Sequence, residues 1–244
     1  MIPRILRVGR PAVLVGGALL ALAGCAADAP LDTLKPQGPI SRSIDSLSDP
    51  IFLIAGIVFV LIFGASGLIW WKFRDDHSTD EFPPQVHGNF RVEIAWTIGP
   101  AVLMAAIGVF TLFGHFELNS EDRQDIVLNV DSVSTSWDPE IVVVGQQWWW
   151  EFRYPEQGVI TANELHLPVG RPTFFDLESQ DVIHSFWVPQ LSGKTDLIPN
   201  RTNHLWMDPL EPGVYVGQCA EYCGTQHAHM LLRVVVQTLP DFER

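Results

Sequence analysis

The sequence predicts a membrane-anchored protein in which a helical hairpin precedes an all-β domain. Residues 51–71 contain no charged side chain and extend about 31 Å as a helix, close to the thickness of a bilayer core. Residues 94–116 form a second apolar segment, with Pro100 inside it. Two buried core helices of a soluble protein would be shorter and less uniformly apolar. We therefore predict a transmembrane hairpin over residues 50–117, followed by a separate domain over residues 118–244.

The orientation of the hairpin is predicted from the charges beside its connecting loop. Lys72, Arg74 and Arg91 flank this loop, whereas the outer flanks of the two segments carry few basic residues. Basic residues concentrate on the cytoplasmic side of membrane proteins. Both long ends of the chain are therefore expected on the outer face of a bacterial cell membrane.

The N-terminus has the features of an export signal. Three arginines in the first ten residues precede a short apolar run that ends in the sequence LAGC at residues 22–25. This sequence resembles a bacterial lipoprotein cleavage box, which predicts a signal peptide over residues 1–24 and a lipid on Cys25. An ordinary signal peptide with an incidental cysteine is the alternative. Residues 25–49, rich in Pro, Ser and Asp, are predicted to form an exposed linker with a short helix before the membrane.

The C-terminal half contains short β-prone segments separated by proline and glycine turns. Strands spaced in this way are typical of an antiparallel sandwich or barrel. The predicted strands are residues 125–133, 141–144, 148–154, 164–167, 172–177, 182–188, 203–207, 213–217 and 231–236.

The charge of the chain limits its partners. The net charge is −13, which argues against nucleic acid because phosphate binding needs a basic surface. From residue 118 onward there are 18 acidic and 7 basic residues, a net charge of −11. Such a domain attracts a basic protein partner, although ordinary solubility gives the same composition. Three cysteines are too few for a disulfide scaffold.

One short stretch concentrates soft metal ligands. Cys219, Cys223, His227 and Met230 lie within twelve residues, and His184 lies upstream. This donor set favours copper over magnesium or calcium. A zinc site has no need of the methionine, and a Cys219–Cys223 disulfide, expected in an exported protein, needs neither the histidines nor the methionine. Two thiolates in one tight loop can bridge a pair of copper ions, which suits electron transfer better than substrate activation.

The same stretch resembles subunit II of the haem–copper cytochrome c oxidases. The resemblance runs from about residue 50 to the C-terminus and includes residues 182–186, residues 194–196 and the tryptophan run after Gln147. It implies a cupredoxin-like Greek-key β-sandwich that carries a dinuclear copper centre, CuA. The ligands that it implies are His184, Cys219, Glu221 through its carbonyl, Cys223, His227 and Met230.

The resemblance also implies three roles outside the copper ligands. The side chain of Glu221 is expected to bind Mg²⁺ shared with subunit I, with further ligands from water and the partner; a solvated loop glutamate is the alternative. Trp148 is expected to be the entry point for electrons from cytochrome c. Glu93 is expected at the mouth of a proton pathway, or it simply stabilises a helix N-terminus. His229 and His166 receive no ligand role.

The function expected from the resemblance is electron transfer from cytochrome c, through copper, to haem in subunit I. Oxygen reduction to water and proton pumping would take place there, in a complex with other oxidase subunits. Arg153 stands at a position where family members often carry an acidic residue. The electron donor is therefore expected to be either a free cytochrome c or one tethered in a cytochrome bc-type complex. One alternative is the copper subunit of a nitric oxide reductase. Another is copper delivery or a scaffold like that of the quinol oxidase relatives, which lack the copper ligands.

Overall fold

The structure is a computed structural model that describes residues 29–74, 85, 87–119 and 139–244. The predicted signal peptide, Cys25 and the predicted strand 125–133 lie outside these residues. The described chain consists of two long helices followed by a β-sandwich. This arrangement confirms the predicted fold class.

Two helices form the N-terminal part: α1 spans Pro39–Lys72 and α2 spans Phe90–Asn119. Each is long and apolar enough to cross a membrane, with mean hydropathy of 2.7 and 1.9 over its most apolar stretch. The helices approach closely at Gly114, where an added Cβ would lie 2.6 Å from a methyl carbon of Leu47. Their large apolar side chains are mostly exposed, so these surfaces require lipid or apolar partners.

The segment expected to be an exposed linker is in part helical and docked. α1 begins at Pro39, a position where proline favours helix initiation because its fixed φ suits the first turn. Ser41 is 3% exposed, and its hydroxyl donates to the carbonyl of Gln190 at 2.8 Å. The Gln37 N–H donates to the same carbonyl at 2.6 Å, and the Leu210 N–H donates to the Gln37 carbonyl at 3.0 Å. Residues 37–41 thus fasten the start of α1 to the β-domain.

The β-domain is built from two five-stranded sheets. The first has the order β3-β2-β1-β5-β8 and the second has the order β4-β10-β9-β6-β7. The strands are β1 Ile141–Gln146, β2 Trp149–Tyr154, β3 Val159–Ala162, β4 Glu164–Pro168, β5 Thr173–Ser179, β6 His184–Trp187, β7 Thr195–Leu197, β8 Asn203–Met207, β9 Gly213–Cys219 and β10 Leu231–Gln237. A single turn of 3₁₀ helix spans His227–His229, and a short helix, α3, spans Leu239–Phe242.

Every strand predicted within residues 139–244 matches an observed strand, but β3 and β7 were not predicted. Both are short, with four and three residues. The expectation of purely antiparallel pairing is wrong at two places, since β1 pairs with β5 and β4 pairs with β10 in parallel. The chain passes from one sheet to the other after β3, β4, β5, β7 and β8. Strands that lie side by side in a sheet are therefore not always consecutive in the sequence, and such strands can pair in parallel.

The core lies between the two sheets. Buried and less buried residues alternate along β2, as the pleat requires, and along most of β10. Trp150 and Phe186 form an edge-to-face pair with ring centroids 5.4 Å apart. The largest fully buried aromatic side chains are Trp150, Phe152, Phe175 and Phe186. This core supports β6 and β9, whose neighbouring ends carry His184 and Cys219.

Gly38→Ala is expected to release residues 37–41 from the β-domain. An added Cβ would lie 2.3 Å from the carbonyl oxygen of Leu191, a backbone atom that cannot move aside easily. We expect the amide protons of Gln37 and Leu210 to exchange about tenfold faster, because their hydrogen bonds are weakened. Gly56→Ala is the matched control, since a Cβ there meets nothing within 4 Å. Equal exchange rates in the two variants would contradict the docking contact.

Candidate metal centre

Two strand ends and one loop define the site. β9 ends at Cys219 and β10 begins at Leu231, so residues 220–230 form the connecting loop. The Cys219 N–H donates to the Met230 carbonyl at 3.0 Å, which closes the base of this loop. The Ala220 N–H donates to Ser185 of β6 at 2.9 Å. The loop is therefore held by both neighbouring strands.

The two cysteine thiols lie side by side and are not bonded. Their Sγ atoms are 3.7 Å apart, whereas a disulfide needs about 2.05 Å. Both cysteines are free and buried. The Met230 Sδ atom lies 3.7 Å from the Cys223 Sγ atom, and Met230 is completely buried. Three sulfur atoms are thus gathered in a site that water scarcely reaches.

Each thiol has its own imidazole neighbour. The His184 Nδ1 atom lies 3.9 Å from Cys219 Sγ, and the His227 Nδ1 atom lies 3.7 Å from Cys223 Sγ. The carbonyl oxygen of Glu221 is 3.2 Å from Cys219 Sγ. The ligand atoms of His184, Cys219 and Cys223 all lie within 4.8 Å of one another. The six donors predicted from the sequence therefore come together in one cluster.

Asp181 orients the buried imidazole of His184. Its Oδ1 atom lies 2.8 Å from the His184 Nε2 atom, which leaves Nδ1 directed at the thiols. A carboxylate on the outer nitrogen is a common way to fix the tautomer of a metal-binding histidine. Gly145 of β1 makes room for the ring, since a Cβ there would lie 2.9 Å from its Cδ2 atom. Asp181 was not among the residues predicted for the site, although its position three residues before His184 was a usable signal.

The two thiols have opposite pKa shifts. Burial alone would raise the pKa of Cys219, but hydrogen bonds with His184 and with backbone groups lower it to about 6. Burial and the nearby charge of Cys219 raise the pKa of Cys223 to about 12. Burial acts to lower the pKa of His184, yet its contacts with Cys219 and Asp181 outweigh this and raise it. The metal-free site therefore holds one thiolate beside one thiol, and metal binding must release a proton from Cys223.

Trp148 contacts the backbone of a predicted copper ligand. Its indole N–H donates to the Cys223 carbonyl at 3.1 Å, and the Gln147 side-chain amide donates to the same oxygen at 2.8 Å. Trp148 is half-buried and lies in the turn before β2, one residue outside the strand where the sequence had placed it. Gly224 has a φ of +122°, and an added Cβ would lie 3.1 Å from the indole. Glycine at 224 therefore permits this close approach.

The side chains of the remaining predicted residues lie outside the cluster. Glu221, whose carbonyl oxygen belongs to the cluster, and His229 are both exposed. The His166 ring lies 2.9 Å from the Gln237 side chain, which fits a hydrogen-bonded histidine without a ligand role. The Glu93 carboxylate accepts the Asn89 N–H at 3.1 Å at the start of α2. This contact fits the helix N-terminal role of Glu93, and its predicted place in a proton pathway remains a prediction.

In the reduced, metal-free protein, we expect the two thiols to have widely separated pKa values. One thiolate forms near pH 6, because hydrogen bonds stabilise it. The second forms only near pH 12, because the thiol is buried and because two negative charges repel across 3.7 Å. Ultraviolet absorbance of thiolates against pH measures both steps. Joint ionisation of the two thiols near the ordinary cysteine pKa would contradict this arrangement.

Two family models match the chain. One, described as the periplasmic domain of cytochrome c oxidase subunit II, matches residues 158–239. The other, described as the transmembrane domain of the same subunit, matches residues 34–113. The two matches cover the helices and most of the β-domain.

Similar proteins come from several bacteria. A cytochrome c oxidase subunit 2 of Alkalihalophilus pseudofirmus is 36% identical over 231 residues, which cover 92% of this chain and 64% of that protein's length. A quinol oxidase subunit 2 of Bacillus cereus is 30% identical over 227 residues, covering 93% of this chain and 75% of that protein. The crystal structure of the periplasmic domain of a Bradyrhizobium japonicum cytochrome oxidase subunit II is 29% identical, with a TM-score of 0.42, and covers 46% of this chain and 92% of that one. On the two family models and the relatives that are at least 30% identical, the chain belongs to the cytochrome c oxidase subunit II family.

Proposed function

We propose that this chain is the electron-entry subunit of a respiratory cytochrome c oxidase. It accepts electrons from cytochrome c at a dinuclear copper centre and passes them to haem in subunit I. Oxygen is reduced to water there, and the reaction drives proton pumping. The observation that carries the proposal is the pair of free thiols 3.7 Å apart, each with an imidazole Nδ1 atom within 4 Å.

The donor set fits copper. Two thiols, two imidazoles and a thioether are soft or borderline ligands, and such sets favour copper over hard cations. A copper pair bound there supplies a one-electron carrier whose charge is shared over both metals. The residues that would hold it are His184, Cys219, Glu221 through its carbonyl, Cys223, His227 and Met230.

The fold gives this site rigidity and excludes water. Cys219 and Cys223 are each 3% exposed, and His184 and Met230 are completely buried. Three of these four residues lie at strand ends or next to one, where the sheet fixes the backbone. Little solvent or protein therefore has to rearrange when the charge of the site changes, which is the condition for fast electron transfer.

Electron entry is proposed at Trp148. Its indole joins the molecular surface to the Cys223 backbone through one hydrogen bond. The surrounding domain is strongly acidic, so it would steer a basic cytochrome c toward this surface. Arg153 is the exception to the family's charge pattern, and its guanidinium is paired with Glu151 at 2.5 Å. That pairing offsets its charge, so Arg153 need not repel a basic donor.

The membrane-facing side of the subunit is proposed to meet subunit I and other oxidase subunits. The exposed apolar surfaces of α1 and α2 fit such partners and the surrounding lipid. The exposed side chain of Glu221 is available for Mg²⁺, whose other ligands would come from subunit I and water. Glu93 is proposed as the proton-pathway residue, and Cys25 as the lipid attachment point on the outer face of a bacterial membrane.

A quinol oxidase role is the second candidate, because quinol oxidase subunits 2 are among the similar proteins. The sulfur cluster favours the cytochrome c oxidase role. A quinol oxidase subunit without copper would have no use for two free buried thiols next to two imidazoles. The nitric oxide reductase alternative is not favoured, since the matched relatives are oxidase subunits.

Trp148→Phe in the assembled oxidase is expected to slow cytochrome c oxidation by at least about tenfold, because the N–H contact to Cys223 is lost. The visible copper spectrum should remain unchanged, since the Gln147 amide still holds the Cys223 carbonyl in this variant. Trp149→Phe is the matched control: it is also half-buried and lies next in the chain, inside β2. Stopped-flow reduction of the copper centre by cytochrome c measures the effect. Equal rates in both variants would make Trp148 a packing residue only.

A further inference from the structure

We propose that Gln147 is a positioning residue that joins the two halves of the copper site. Its side chain holds the backbone of Cys223, and its backbone holds the carboxylate that orients His184. The inference rests on the proposed copper site. It concerns a residue that supplies no ligand and to which the sequence analysis gave no role.

The Gln147 side-chain amide makes the contact with the Cys223 loop. Gln147 Nε2 donates to the Cys223 carbonyl at 2.8 Å, and the indole N–H of Trp148 donates to the same oxygen at 3.1 Å. A carbonyl oxygen has two lone pairs, so these two donors saturate it. The Gln147 contact is the shorter one. The peptide plane after Cys223 is therefore held mainly by this amide.

The Gln147 backbone makes the contact with the carboxylate that orients His184. The Gln147 N–H donates to Asp181 Oδ2 at 2.7 Å. The other carboxylate oxygen, Oδ1, contacts His184 Nε2 at 2.8 Å and accepts the Val182 N–H at 2.6 Å. A continuous path of hydrogen bonds thus runs from His184 through Asp181 and Gln147 to Cys223.

The surroundings indicate that this contact is specific. Gln147 is an exposed residue in the turn between β1 and β2, a position where a glutamine side chain is ordinarily solvated. The Gln147 side chain instead bonds Cys223, a residue 76 positions later in the sequence. Gly224 allows the approach, because an added Cβ would lie 3.1 Å from Gln147 Nε2. The side chain adds nothing to the core, so its loss leaves the sandwich intact and frees the loop.

Three variants of the full chain test the proposal in the reduced, metal-free state. Gln147→Leu removes the amide donor, and Gln147→Glu places a carboxylate against the Cys223 carbonyl. Gln146→Leu is the matched control, because the Gln146 amide contacts Glu151 and not the loop. We expect amide hydrogen exchange at His227, His229 and Met230 to be about three- to tenfold faster in Gln147→Leu than in the control, and faster still in Gln147→Glu. Exchange in β4 and β10 should be unchanged.

The same variants loaded with copper provide a second readout. The copper hyperfine pattern in electron paramagnetic resonance should change in both Gln147 variants and stay as in the parent protein in Gln146→Leu. Loop exchange equal to that of the control, faster exchange throughout the sandwich, or an unchanged hyperfine pattern would each overturn the inference. A chain that binds no copper would instead refute the proposed function, while the exchange measurement would still test Gln147.

Discussion

The thiols of Cys219 and Cys223 lie 3.7 Å apart without forming a bond, and most of the site serves to maintain this separation. Two thiolates at that distance repel each other, and burial increases the penalty. Burial and this repulsion raise the pKa of Cys223, whereas hydrogen bonds with His184 and with backbone groups outweigh burial and lower the pKa of Cys219. A bound cation removes the conflict, because it stabilises both thiolates at once. Without metal, the two thiols keep one proton between them, because the state with both thiols ionised is less stable than the state with one thiolate.

The sandwich sets this separation through its strand ends. Cys219 is fixed by its pairing with Phe186, and the base of the loop is closed by the contact between Cys219 and Met230. The position of Cys223 depends on the loop itself, which is why hydrogen bonds from Gln147 and Trp148 matter there. At a distance from the loop of residues 220–230, residues 37–41 fasten the domain to α1. The site is thereby connected to the membrane helix by backbone contacts as well as by the chain.

The sequence was sufficient to predict which donor groups lie together, but it was insufficient to predict the residues that hold those groups in place. Cys219, Cys223 and His227 are close in the chain, so their spacing alone predicts a shared site. Asp181 is three residues from His184, so its contact could have been predicted locally. Gln147 contacts Asp181 and Cys223 only because three separate segments pack together, and no local pattern indicates these contacts. Hydrophobic alternation likewise predicted strands but not their neighbours, so the parallel pairs β1–β5 and β4–β10 were missed. The docking of residues 37–41 was missed because their composition is that of a linker and their contacts are distant in sequence.

Copper binding by these two thiols can be tested by anaerobic loading of the reduced protein with equimolar Cu⁺ and Cu²⁺, followed by metal analysis and electron paramagnetic resonance. We expect two coppers per chain and a hyperfine pattern from one unpaired electron shared equally by both copper nuclei. A single copper or zinc per chain, a signal localised on one copper, or a Cys219–Cys223 disulfide in freshly loaded protein would contradict it.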